Sequence, residues 1–100
     1  MKELIKKVEQ WFVDRHLHEL DGHGQLTKLK EEVDELVDAR LKDNRDEEMD
    51  AVGDITVVLI GYCMQRDLDF EKCLESAYNE IKDRKGKLIN GVFVKEADLK

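Results

Sequence analysis

Apolar residues recur along this chain at intervals of three and four, the spacing of one face of an α-helix. Leu4, Ile5, Val8, Trp11 and Phe12 predict an amphipathic helix over residues 2–17. The stretch HLHELDGHG then breaks the pattern, carries two glycines and reads as a loop. A second helix is expected over residues 25–42, with Leu26, Leu29, Val33, Leu36 and Val37 on its apolar stripe. Asp43-Asn44-Arg45 is a short connection to a third helix over residues 46–66, with Met49, Val52, Ile55, Val58, Leu59 and Tyr62 inward. Asp67-Leu68-Asp69 is a turn, with Asp69 the expected N-cap of a fourth helix. That helix sets Phe70, Cys73, Leu74, Ala77 and Ile81 on one face and is expected to stop at Gly86. In the tail, Asn90-Gly91 lies between short apolar pieces, the mark of a hairpin or an ordered arm. The expected fold is all-α: a single domain over residues 1–100, built as a small four-helix bundle with a short C-terminal arm or hairpin.

Composition sharpens that expectation. A chain of 100 residues has room for one modest core. Apolar and charged residues each make up 41%, a balance that favours amphipathic helices over disorder. The absence of proline disfavours a many-turned β-sandwich. A bundle this small is expected to finish its core against a second subunit, as a homodimer or tetramer.

Charge narrows the partners. A net charge of −7 lacks the basic footprint that nucleic-acid binding needs. The distribution is uneven: the segment from Glu19 to Asp54 carries a net −8, and that from Lys82 to Lys100 a net +3. An acidic middle and a basic tail suit a metal in one place and an anion in another. No apolar run approaches the ~20 residues of a bilayer span. The polar start MKELIKKVEQ is unlike a signal peptide. Cys63 and Cys73 are expected as reduced, mostly buried thiols, which with the foregoing points to a cytoplasmic protein.

The acidic residues carry the chemistry. Glu31, Glu32 and Glu35 fall on adjacent stripes of the second helix, and Glu32 shares its stripe with Leu29 and Leu36. Glu47, Asp50 and Asp54 follow at i, i+3 and i+7 on the third, where Asp54 enters the apolar run ITVVLIGYC. Two core-flanking carboxylate stripes on successive helices supply hard oxygen ligands for Mg²⁺, with Mn²⁺ as the alternative ion. Like charges packed this closely call for a cation. The competing reading is of solvated faces paired with Lys28, Lys30, Arg40 and Arg45, and for each single glutamate it is the simpler account. Asp54 is the residue it explains least well, because a carboxylate among apolar neighbours needs a partner.

The same residues carry a family resemblance. KLKEEVDEL resembles the KLxEExxEL signature of the MazG-like all-α nucleoside triphosphate pyrophosphohydrolases, with Gln25, Lys28, Glu31, Glu32 and Glu35 at the matching positions. AVGDITVVL resembles that group's ELGDVLxxL helix. AYNEIKDRKGKLINGVFVKEADL resembles the C-terminal segment of short bacterial and phage members, so the similarity runs from about Val8 to Leu99. One departure stands out: the glutamate of the group's ExxD motif aligns with Ala51. Asp50, four residues before Asp54, still shares that residue's face, and Glu47 is a further candidate.

The resemblance implies Mg²⁺-dependent hydrolysis of a (deoxy)nucleoside triphosphate to the monophosphate and pyrophosphate, in a bacterial or phage-infected cytoplasm. It implies metal ligands at Glu32, Glu35, Asp50 and Asp54, with Glu31 or Glu35 directing the attacking water. It implies substrate contacts from Gln25 and Lys28, and from Asn79, Lys82, Arg84, Lys85 and Lys87 on the triphosphate. Read alone, that basic run is an ordinary helix C-terminus, where cations favour the dipole. A phosphoribosyl-nucleotide is the other phosphorylated substrate considered.

Trp11 fits a core position on the first helix, or a platform stacked on a nucleobase; Phe12 and Tyr62 offer the same alternative more weakly. His16, His18 and His23 lack a nearby cysteine partner that would make them a zinc site. No phosphate-binding P-loop, GxGxxG or nucleophile elbow is present. The rival function is a non-catalytic acidic helical interaction module of the same fold.

Overall fold

The computed structural model describes residues 1–99 and contains four helices followed by a two-stranded hairpin: α1 (Lys2–Asp14), α2 (His23–Leu41), α3 (Arg45–Gln65), α4 (Phe70–Ile81), β1 (Gly86–Ile89) and β2 (Val92–Lys95). Short 3-10 turns occupy Leu17–Glu19 and Glu96–Asp98. The predominantly helical architecture and the C-terminal hairpin agree with the all-α expectation. No helix among the described residues is long and apolar enough to cross a membrane.

The chain divides into two compact units, Met1–Phe70 and Glu71–Lys100. In the first, α3 packs against both α2 and α1. Its buried apolar residues are Phe12, Ala39, Ala51, Val58, Ile60 and Cys63. Gly61 explains how α1 comes so close to α3: a Cβ there would run into the ring of Phe12. Gln25 ties α2 to α3 by donating from Nε2 to the Val58 carbonyl at 3.2 Å. Gln65 reaches the other way, donating to the Leu17 carbonyl at 2.9 Å.

Asn44 governs the α2–α3 reversal. Asp43 adopts the left-handed conformation at φ 55°, and the amides of Asn44 and Asp43 return to the carbonyls of Ala39 (3.0 Å) and Arg40 (3.1 Å). This doubly bonded close satisfies carbonyls that the last turn of a helix leaves open. The Asn44 side chain then accepts from the Glu47 amide at 3.1 Å and so caps α3. A single asparagine therefore ends one helix and begins the next. A similar close ends α3, where Asp67 has φ 56° and the Leu68 amide reaches the Cys63 carbonyl at 2.7 Å.

In the second unit, Asn90 and Gly91 both have positive φ, 51° and 80°, as a tight two-residue hairpin requires. The register pairs Gly86 with Lys95 and Ile89 with Val92. Gly86 is thus the first residue of a strand and not the stop of α4, which ends at Ile81. Its lack of a side chain serves the hairpin, since a Cβ would strike the Val94 carbonyl.

Several boundaries and burial expectations change. The first helix ends three residues early because His16 turns left-handed at φ 57°. The second begins at His23, with its amide bonded to the Asp21 carboxylate at 3.0 Å and Gly22 at φ 92° before it. Met49, Val52, Val33 and Val37 are exposed, because one chain presents no further layer to cover those stripes. Trp11 is 45% exposed and Phe12 takes the core position beside it. Cys63 is buried but Cys73 is exposed.

Candidate active site

The reversal at Asn44 lays the acidic faces of α2 and α3 beside one another. Glu35, Asp38 and Lys42 share one face of α2 at i, i+3 and i+7; Glu47, Asp50 and Asp54 repeat the spacing on α3. With Ala51, these residues line a cleft of about 370 Å³. Glu47 occupies the third position of α3, where a glutamate often bonds back to the amide of the cap residue. Here the Asn44 amide is already bonded to Ala39, and Glu47 lines the cleft instead.

Two carboxylates of this lining, Glu35 and Asp54, converge with Glu32. Glu32, Glu35 and Asp54 each offer an oxygen, and the three oxygens lie within 4.8 Å of one another. Glu32 is 4% exposed, although glutamate is rarely buried without a partner. One partner is Lys28, whose Nζ lies 3.2 Å from Glu32 Oε1 and 3.7 Å from Glu31 Oε2. Glu32 Oε2 is buried and has no hydrogen-bond donor.

The neighbouring charges leave a mark on Glu35. Its carboxyl is pushed above the ordinary range, first by a side-chain hydrogen bond with Glu32 and by the Glu32 charge, then by desolvation. Asp54 adds to the rise and Lys28 opposes it. Lys28 is itself raised, mainly by its bond to Glu32. This donor set fits a hard divalent cation: carboxylate oxygens only, closely grouped, with one buried oxygen otherwise unsatisfied.

The other sequence candidates take different places. Asp50 lines the cleft beside the group of three without entering it. Glu31 is exposed and pairs with Lys28 outside the cleft lining. Gln25 is engaged by the Val58 carbonyl, as a tie between helices. Trp11 lines a separate apolar hollow with Leu4, Lys7, Val8 and Val57, and the Arg15 guanidinium lies 4.2 Å from its ring centre. Asn79, Lys82, Arg84 and Lys85 belong to the second unit, all exposed, on and just after α4.

Sequence reasoning passed over two cleft residues, Asp38 and Lys42. Their signal was present: each stands at helical spacing from Glu35, on the face that carries the metal candidates. Ala51, the aligned position of the missing glutamate, is buried at 3% exposure and lines the cleft, so a methyl group stands where a carboxylate would face the cavity.

Residues 1–80 match the family model described as phosphoribosyl-ATP pyrophosphohydrolase. A curated relative, an uncharacterized 18.2 kDa protein in the rep-hol intergenic region of Haemophilus phage HP1, is 37% identical over 70 residues. The match covers 69% of this chain and 43% of that protein, so the chain spans less than half of its relative's length. No solved structure matches the chain. With four-fifths of its length matched by the family model, the chain belongs to the phosphoribosyl-ATP pyrophosphohydrolase family, within the MazG-like all-α nucleoside triphosphate pyrophosphohydrolase superfamily.

Proposed function

We propose that this protein hydrolyses the α–β phosphoanhydride of a nucleoside triphosphate, releasing the monophosphate and pyrophosphate with Mg²⁺ as cofactor. The observation that carries this reading is the convergence of Glu32, Glu35 and Asp54, with a buried Glu32 oxygen that lacks a donor. Glu32, Glu35 and Asp54 would hold the cation, and Asp50 stands on the adjoining wall as a further candidate ligand. A bound divalent cation supplies charge neutralisation at the phosphate and a lowered pKa for the attacking water.

The chain's own contribution is positioning. Phosphoryl-type substitution asks for little covalent chemistry from the protein and much alignment and electrostatic compensation. Lys28 holds Glu32 in place from the solvent side. Glu35 lines the cleft and Glu31 does not, which favours Glu35 as the group that directs the water. The basic residues Lys82, Arg84 and Lys85, with Asn79, remain the proposed contacts for the triphosphate, on the strength of the sequence resemblance. The exposed apolar stripes of α2 and α3 support assembly into a homodimer or tetramer.

The family description favours a second substrate of the same chemistry, phosphoribosyl-ATP, whose triphosphate offers the same α–β bond. Pyrophosphate release measured over the nucleoside triphosphates and phosphoribosyl-ATP, with and without Mg²⁺, tests both. Release that requires Mg²⁺ and disappears in Asp54→Asn is the expected result. A folded protein that releases pyrophosphate from none of them would instead be the non-catalytic acidic module.

A further inference from the structure

Lys42 is the one cation lining the acidic cleft among the described residues, and it stands among five carboxylates. It forms no ion pair among those residues, although Glu47 and Asp38 line the same cavity. It lies two helical turns beyond Glu35, about 10 Å along the axis. Side chains on a helix lean toward its N-terminus, which for Lys42 is the direction of Glu35 and Asp54. The three carboxylates that converge lie toward one end of the cleft, and the Lys42 ammonium lies at the Asn44 turn, on the stretch of lining that it shares with Asp38 and Glu47.

A favourable charge at the end of α2 would account for a cation at this height. Arg40, in the same last turn, meets that need without lining the cleft. Lys42 is set apart by its place in the cavity. A nucleoside triphosphate bound with its scissile phosphate at the carboxylate end has a neutral nucleoside on one side and a polyanion on the other. The polyanion is the part that requires a further positive charge.

We infer that Lys42 binds the pyrophosphate portion of the substrate and holds the leaving group at the turn end of the cleft. This rests on the hydrolase reading above, but it is read out separately, by binding of inorganic pyrophosphate. Titration calorimetry of the full chain with pyrophosphate and Mg²⁺ compares the parent with Lys42→Met, Lys42→Arg and Arg40→Met. Loss of one charged hydrogen bond to phosphate weakens binding by roughly tenfold or more. Lys42→Met should show that loss, Lys42→Arg should stay close to the parent, and Arg40→Met should not change. Nucleoside monophosphate binding should be the same in the parent and Lys42→Met. Circular dichroism checks that each variant is folded.

The assignment is overturned if Lys42→Met binds pyrophosphate as the parent does. It is equally overturned if Arg40→Met loses as much, or if the parent does not bind pyrophosphate. A parent that binds pyrophosphate through Lys42 yet hydrolyses nothing would remove the catalytic reading and leave this one standing. Hydrolysis with unchanged KM and unchanged pyrophosphate inhibition in Lys42→Met would do the reverse.

Discussion

Lys28 stands one helical turn before Glu32 and reaches its buried carboxylate at 3.2 Å, bonding one oxygen and leaving the other without a donor. Half of the Glu32 carboxylate is thus compensated from the solvent side, and the uncompensated half belongs to a group with Glu35 and Asp54. Burial of an ionised carboxylate is costly unless its lone pairs are met. Mg²⁺ should therefore raise the melting temperature of the parent protein. Glu32→Gln should abolish most of that rise while remaining helical. Thermal scans with and without Mg²⁺ measure this, and an equal rise in both proteins would remove Glu32 from the ligand set.

Glu35 gives the pH dependence. Its folded-state pKa is raised, so the folded protein holds a proton that the unfolded chain has already released. Stability from this group is present below the ordinary glutamate value and is lost as pH rises through the raised one. Without metal, the parent should lose stability across that window, and Glu35→Gln should show a shallower loss. Denaturant titrations at a series of pH values test the sign. A parent that gains stability over the window through Glu35 contradicts it.

Lys28 opposes the rise at Glu35. Lys28→Met should push the Glu35 carboxyl higher still, which carbon-detected NMR titration of the glutamates would follow. No shift would mean that Lys28 is too well solvated to influence the cluster.

Removing Asp54 should be the most damaging change on α3. Asp54→Asn is expected to lower kcat/KM by roughly a hundredfold or more, with unchanged helical content, as loss of metal-site groups commonly does. Asp50→Asn and Glu47→Gln, on the cleft wall outside the group of three, should each cost less. Equal damage from Glu47→Gln with a silent Asp50→Asn would shift the site toward the turn.

Two positions test the scaffold. Asn44→Ala removes the cap of α3 and should destabilise the protein by about 1 kcal/mol. Gly61→Ala places a methyl group against the Phe12 ring and should cost about 2 kcal/mol by overpacking. Urea denaturation reads both. A Gly61→Ala protein as stable as the parent would show that α1 can move away from α3 at little cost.

Much of this was legible in the sequence because helical periodicity is local. The spacing of Leu4, Val8 and Phe12, or of Glu47, Asp50 and Asp54, specifies a face without reference to the rest of the chain. Asn90-Gly91 likewise determines its own turn, since positive φ at both positions suits those residues. The carboxylate spacing also marked Glu32, Glu35 and Asp54 as members of two inward-leaning stripes.

What periodicity does not carry is which faces meet and how closely. Gly86 has the composition of a helix stop, yet its place against Val94 depends on strand pairing. Trp11 and Phe12 are adjacent on one helix, and only the close approach of Gly61 decides that Phe12 is buried. The same holds in the cleft. The sequence determined two acidic helix faces; the reversal at Asn44 decided that Glu32, Glu35 and Asp54 converge, that Asp50 stands beside them, and that Lys42 shares their cavity. Electrostatic repulsion and burial act over distances through space, and those distances exist only once α2 and α3 are packed.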